Sequence, residues 1–256
     1  MNWTTMGALL ARDARVARRN LIPLLLQTML QPLLLVFVFG RIMTSSGLMA
    51  SSYKGIILPG IMGMSMVLTG IQAVAMPLIA EFQFTREIED RLLAPIRIEW
   101  IAIEKIVAGM LQALAAGSVV VPAAWLILGS DVGLSLHQPI IFAAVVFLVS
   151  LFAASGGLAL GCSVGQTQIG LMFTLVLAPM LMFGCIYYPW GALSGFPILQ
   201  KVVLVNPLVY ASEGLRGSLA PQYPHLPLGV VVGFLAAADV ALIALGLRQF
   251  NRKAVT

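Results

Sequence analysis

Six long apolar stretches dominate this 256-residue chain and leave it few ways to fold. Runs such as Leu33-Leu34-Leu35-Val36-Phe37-Val38-Phe39 and Ala143-Ala144-Val145-Val146-Phe147-Leu148-Val149 are apolar at every position. A membrane-spanning strand would instead alternate apolar and polar residues over segments of about 10 residues. A spanning helix needs roughly 20 consecutive apolar residues, so six of them use most of the chain. Hydrophobic residues make up 60% of the sequence and charged ones 10%. Soluble domains carry about a quarter charged residues, which excludes a water-soluble globule. The sequence therefore predicts an all-α integral membrane protein, with residues 1–256 forming one domain and no room for a second, soluble one.

The predicted spans are residues 22–43, 56–80, 106–129, 139–161, 169–187 and 228–247. Residues 1–20 precede them with Trp3, Met6 and Leu10 at helical spacing and Arg12, Arg15 and Arg19 on another face, which predicts an amphipathic helix lying on the membrane surface. The apolar run after it is too long for a signal peptide and lacks a small-residue cleavage pattern, so it reads as a retained first span. Counted on alternate sides of six spans, eleven Lys and Arg fall on the side of the termini and four on the other. Basic residues concentrate on the cytoplasmic side of membrane proteins, so both termini are expected there. The net charge of +5 is then a mark of topology rather than of nucleic-acid binding. Residues 188–227 are too apolar for a solvated loop and too broken by Pro and Gly for a span. Short re-entrant helices at the outer face, between spans five and six, fit them.

Against this background, six of the ten acidic residues crowd into the interval from Glu81 to Glu104. Within it Phe84, Ile88 and Leu92 are four apart and share one face of a helix, while Glu87 and Arg91 pair on another. Arg86, Glu89 and Asp90 add charge between them, and Pro95 ends the helix. Residues 81–105 are expected to be either a docking rod for a soluble partner or a solvated connection at the membrane surface. Ala153, Gly157, Gly161 and Gly165 recur every four residues, a spacing that lets helix backbones approach closely in lipid. Asp239 sits in the middle of the last apolar run, where an acid is costly and marks either a transport site or a polar contact between helices. Gln27 and Gln31 share a face of the first span, and Gln72 lies in the second. With Asp239 they form a candidate substrate path, although joining helices is the commoner use of such residues. Cys162 and Cys185 read as small buried hydrophobes. No Gly-Lys pair exists to build a phosphate-binding loop, and no His-Glu-x-x-His or Gly-x-Ser-x-Gly motif occurs, so catalytic and metal-ligating residues are expected to be none.

Two stretches carry a family resemblance. One runs from Phe84-Thr85-Arg86-Glu87 through Leu92-Leu93-Ala94-Pro95 to Lys105. The other joins Phe183-Gly184 and Tyr188-Pro189 to Asn206-Pro207-Leu208-Val209-Tyr210 and Leu215-Arg216. With the six-span layout, they resemble the permease subunits of type-2 ATP-binding-cassette (ABC) exporters, nearest the drug and lipid exporter branch of the daunorubicin-resistance permeases. Where many relatives have Gly-Thr after the Arg-Glu pair, this chain has Ile88-Glu89.

The resemblance implies a non-enzymatic permease in a bacterial inner membrane that exports an amphiphilic drug, lipid or polyketide-like substrate. It implies a second permease subunit, identical or homologous, and separate ATPase subunits that use ATP and Mg, no cofactor being bound by this chain. Phe84, Arg86, Glu87, Ile88, Glu89, Asp90, Arg91 and Leu92 are then the ATPase-coupling residues, and Asn206, Pro207, Tyr210 and Arg216 mark the outer-face motif. The rival expectation is a self-sufficient channel or a proton-coupled carrier using Asp239.

Overall fold

The computed structural model describes residues 30–50, 52–82, 98–129, 133–136, 138–165 and 168–255. The expected surface helix at 1–20, Gln27 and the coupling residues from Phe84 to Leu92 lie outside the described residues.

Among the described residues every regular element is helical. Four helices are long and apolar enough to cross a membrane: Tyr53–Ala80 (α2), Ile98–Leu128 (α3), Pro139–Ser163 (α4) and Leu228–Val255 (α8). Two shorter apolar helices, Leu30–Ser45 (α1) and Ile169–Met182 (α5), fall where the sequence places spans one and five. Both contain a wider π-helical stretch, Val36–Ile42 in α1 and Phe173–Leu177 in α5. Between α5 and α8 come a 3-10 turn at Trp190–Gly195, the short helix Pro197–Val202 (α6), a second 3-10 turn at Val203–Val205 and the helix Pro207–Leu219 (α7).

Helix α2 is the axis of the bundle. A helix apolar on every side is stable only when neighbours surround it, and α2 packs against α1, α3, α4 and α7. Its Gly, Ala and Met content sets how near they come. A Cβ on Gly70 would lie 2.5 Å from the Ala153 Cβ of α4 and 3.2 Å from that of Ala113 on α3. On α3, one on Gly109 would lie 2.3 Å from Val74 and 3.1 Å from Ala154. The backbones of α2, α3 and α4 thus meet through small residues, the packing mode that lipid favours where burial of apolar surface gives no net drive.

Helix α8 seats on α4 through a stripe at Val231, Leu235, Asp239, Gly246 and Phe250, all buried. Its other face exposes Val240 and Leu245, side chains suited to lipid, while Val230 is exposed in the first turn at the helix end. The two helices run parallel in a constant register. Ser163 on α4 donates to Gln249 on α8, 86 positions on, and a Cβ on Gly156 would meet Leu242, the same offset.

Observed boundaries depart from the predicted spans at three ends. Helix α3 is already formed at Ile98, eight residues before the predicted span, and these early turns bury Glu104 and Lys105 rather than expose them. Helix α8 runs on past Leu247 through charged residues, and Phe250 there is fully buried. Helix α5 stops at Met182, five residues before the predicted end at Tyr187, since Cys185 takes a positive φ of 51° that no helix accommodates.

Candidate functional site

The densest polar construction lies on α7, at the end of the bundle where α2 starts and α5 stops. Asn206 and Pro207 set the helix start. The Asn206 side-chain oxygen accepts from the Leu208 N–H at 3.0 Å, and its amide donates to the Met180 carbonyl of α5 at 2.7 Å. This satisfies one orphan N–H of the first turn, and Pro207 occupies the position where no N–H is needed. Tyr210, one turn on, stacks on Phe234 of α8 with ring centroids 3.7 Å apart and donates to the Leu204 carbonyl.

Three residues further, every side chain of α7 is inside the protein. Glu213 and Arg216 are both fully buried, three positions apart, and paired with each other. The Arg216 Nε donates to the Ile56 carbonyl in the first turn of α2 at 3.1 Å, and Nη2 donates to the Cys185 carbonyl at 2.8 Å and more weakly to that of Ile186. On the other side of the pair, the Glu213 oxygens accept from the backbone N–H groups of Trp190 and Leu226, each at 2.9 Å. Burial lowers the Arg216 pKa from the ordinary guanidinium value, and the Glu213 carboxylate opposes that shift. The planar fork of arginine is what makes this possible, since one group serves a carboxylate and carbonyls from two elements at once.

The product is a closed knot. Arg216 ties α7 to the start of α2 and to the turn after α5, while Glu213 ties it to Trp190 and to the approach to α8. Its donors and acceptors are spent within the chain, so it fixes the turn after α5 in place rather than offering charge to a ligand. The left-handed Cys185 is held by it, a strained conformation that persists only where its surroundings overdetermine it. Tyr53 adds a further pin by donating to the Tyr187 carbonyl at 2.8 Å.

The remaining candidates are dispersed. Ala153, Gly157 and Gly161 face α2, where a Cβ on Gly157 would lie 2.7 Å from the Ile71 carbonyl and one on Gly161 would lie 3.0 Å from the Ala75 Cα. Gly165 lies beyond the end of α4, where a Cβ would lie 3.9 Å from the Gln168 side-chain oxygen. Gln31 is exposed on α1 and Gln72 is half-buried on α2. Asp239 is only 2% exposed, on the α8 face that packs against α4, and neither carboxyl oxygen has a hydrogen-bond partner among the described residues. Gln31 and Asp239 are therefore not gathered on one polar surface.

Two groups escaped the reading of the sequence. Glu213 had a signal, because Glu-x-x-Arg places opposite charges on one helix face. The other is a buried ion pair at the opposite end of the bundle, with the Lys105 Nζ 2.6 Å from the Glu81 carboxylate. Those two residues bracket the segment that holds the coupling candidates.

An apolar groove of about 380 Å³ opens between α5 and the α6 region, lined by Leu175, Pro179, Phe183, Leu199, Val202 and Pro207 among others.

A model of the ABC-2 type transporter family matches residues 4–220, most of the chain and all of the geometry above up to the end of α7. No curated protein matches the chain.

Proposed function

Because the chain belongs to the ABC-2 type transporter family, whose membrane domain is a permease and not a catalyst, we propose that it is the transmembrane half of an ATP-driven exporter in the daunorubicin-resistance-like branch. The observation that carries this is the family match over 4–220. The four long apolar helices make it a multi-pass membrane protein.

In this reading α1 and α5 complete a six-span bundle, and the segment from Trp190 to Leu219 dips into the outer leaflet as re-entrant helices. Both termini face the cytoplasm of a bacterial inner membrane. Two permease subunits, identical or homologous, join two ATPase subunits that bind ATP and Mg. Residues 81–105 form the coupling segment, with Phe84, Arg86, Glu87, Ile88, Glu89, Asp90, Arg91 and Leu92 at the contact. Nucleotide binding biases that segment between two arrangements, and the bundle opens outward in response. The substrate is an amphiphile, for which the apolar groove beside α5 has a suitable volume and lining.

Reversal of Glu87, Glu89 and Asp90 to Lys together is expected to abolish co-purification of the ATPase or to uncouple its hydrolysis from transport. Assembly and transport equal to the parent would remove the docking surface from the mechanism.

The buried Asp239, with no hydrogen-bond partner among the described residues, favours the second reading, a proton-coupled carrier. An ionised carboxylate is costly at that depth, so Asp239→Asn, which keeps the shape without the charge, is expected to leave thermal stability unchanged or raised. In an ATP-driven exporter the variant still transports. Loss of transport with stability intact, together with transport by the parent in liposomes free of any ATPase, selects the carrier.

A further inference from the structure

Where α2 ends, its last turn is gripped from two sides. The Glu81 carboxylate and the Lys105 ammonium join α2 to α3 in a buried pair. This closes the base of the coupling segment, because the two residues flank it in the chain. The neighbouring Phe82 is held by α8 instead. Its ring meets Phe250 edge to face, with centroids 5.8 Å apart and planes at 64°, and the Lys253 ammonium lies 4.9 Å from its centroid.

Both α8 residues are themselves anchored. Phe250 is fully buried and closes the apolar stripe by which α8 packs on α4. Lys253 also reaches the Gly161 carbonyl in the last turn of α4, at 3.4 Å, where a cation is favoured by the exposed carbonyls of a helix end. One residue before Phe250, Gln249 accepts from Ser163 at 2.9 Å. The ends of α2, α4 and α8 thus meet around the ring of Phe82, one residue after Glu81.

We propose that the cytoplasmic end of α8 is a transmission arm of the coupling segment, with Phe250 and Lys253 as positioning residues that pass movement of Phe82 to α8 and α4. The inference rests on the proposed role of residues 81–105 in ATPase coupling. Its physical content is a division of labour. The Glu81–Lys105 pair keeps α2 and α3 together at the base, so any displacement of the segment moves their ends as one unit. A ring wedged between Phe250 and Lys253 cannot move without carrying α8 or breaking two contacts. Edge-to-face and cation–π contacts are directional and weak enough to have alternative arrangements, unlike the buried ion pair.

The test uses the whole permease–ATPase complex in proteoliposomes, with Val230→Cys introduced on the exposed outer part of α8 as a reporter. Labelling of that thiol by a membrane-impermeant maleimide is compared with and without ATP plus vanadate. The two native cysteines are buried. In the reporter protein, trapping of nucleotide is expected to change the labelling rate. In the same protein carrying Phe250→Leu and Lys253→Met, which keep apolar bulk at both positions, the ATPase is expected to co-purify as before while the nucleotide-dependent difference disappears. Phe250→Ala alone is the second variant, expected to reduce the difference partly.

A difference that persists undiminished in both variants overturns the proposal, as does a reporter whose labelling ignores nucleotide while the ATPase is bound and active. Failure of the reporter protein to retain any ATPase overturns the coupling role itself, a result distinct from the other two.

Discussion

Arg216→Met is expected to cost the folded protein about 3–5 kcal/mol, because it removes one partner of a buried ion pair and leaves the other charge behind. Methionine keeps much of the apolar stem, so the loss isolates the guanidinium. Four groups lose their partner at once. The Glu213 carboxylate remains buried with only the Trp190 and Leu226 N–H groups, and the Ile56, Cys185 and Ile186 carbonyls lose their donor. Each orphaned buried group carries its own desolvation penalty. Arg216→Lys is expected to recover little, since an ammonium is a compact charge without the fork that reaches a carboxylate and two separate carbonyls. Adding Glu213→Gln to Arg216→Met removes the stranded charge while retaining an oxygen for one of the two backbone donors. The double variant should therefore melt at a higher temperature than Arg216→Met alone, the non-additivity expected of partners in one network. Thermal unfolding of the purified protein in detergent decides the matter. A double variant less stable than Arg216→Met would show that no stranded charge was present.

The sequence displays one half of that knot and hides the other, for a physical reason. Four of the six predicted spans correspond to the four long helices, because an uninterrupted apolar run is a property of side chains alone and hydropathy reads it directly. Helix ends obey tertiary contacts instead. Helix α8 continues through Arg248, Arg252 and Lys253 because Phe250 finds Phe82, a partner nearly 170 positions away that no local pattern announces. Arg216 is visible as an arginine in an apolar region and as part of the outer-face motif. Its partners besides Glu213 are backbone carbonyls, 160 residues back at Ile56 and 31 back at Cys185. Every residue owns a carbonyl, so such partners leave no signature in composition or spacing. The same holds for the small-residue stripe. Spacing by four says that Ala153, Gly157 and Gly161 can admit a close neighbour, but only packing identifies it as α2 and leaves Gly165 out.

Gly60→Ala should disrupt the protein through the same knot from the opposite side. A Cβ there would lie 2.2 Å from the Ile186 carbonyl oxygen and 2.8 Å from the Ile186 carbonyl carbon and Cα. All three are backbone atoms, so no side-chain rotation relieves the clash. Inserting atoms into a packed core costs typically 1–3 kcal/mol when neighbours can shift, and here the neighbour is pinned. The Arg216 guanidinium holds the carbonyls of Cys185 and Ile186, and Tyr53 holds that of Tyr187. The methyl group must displace that turn and break these bonds, so the expected loss lies at or above the upper end of the range. Two other glycines calibrate it. A Cβ on Gly63 would first meet the flexible tip of Leu215 at 3.3 Å, so Gly63→Ala is expected to be mild. One on Gly229 meets nothing within 4 Å, and alanine in that exposed helical site should stabilise by about 0.4–1 kcal/mol. Melting temperatures ordered Gly229→Ala above parent, Gly63→Ala near it and Gly60→Ala well below would establish that α2, α7 and the turn after α5 behave as one rigid piece. Parity of Gly60→Ala with Gly63→Ala would mean that the turn yields easily. In that case the turn after α5 bends independently of α2 and α7, instead of moving with them as a unit.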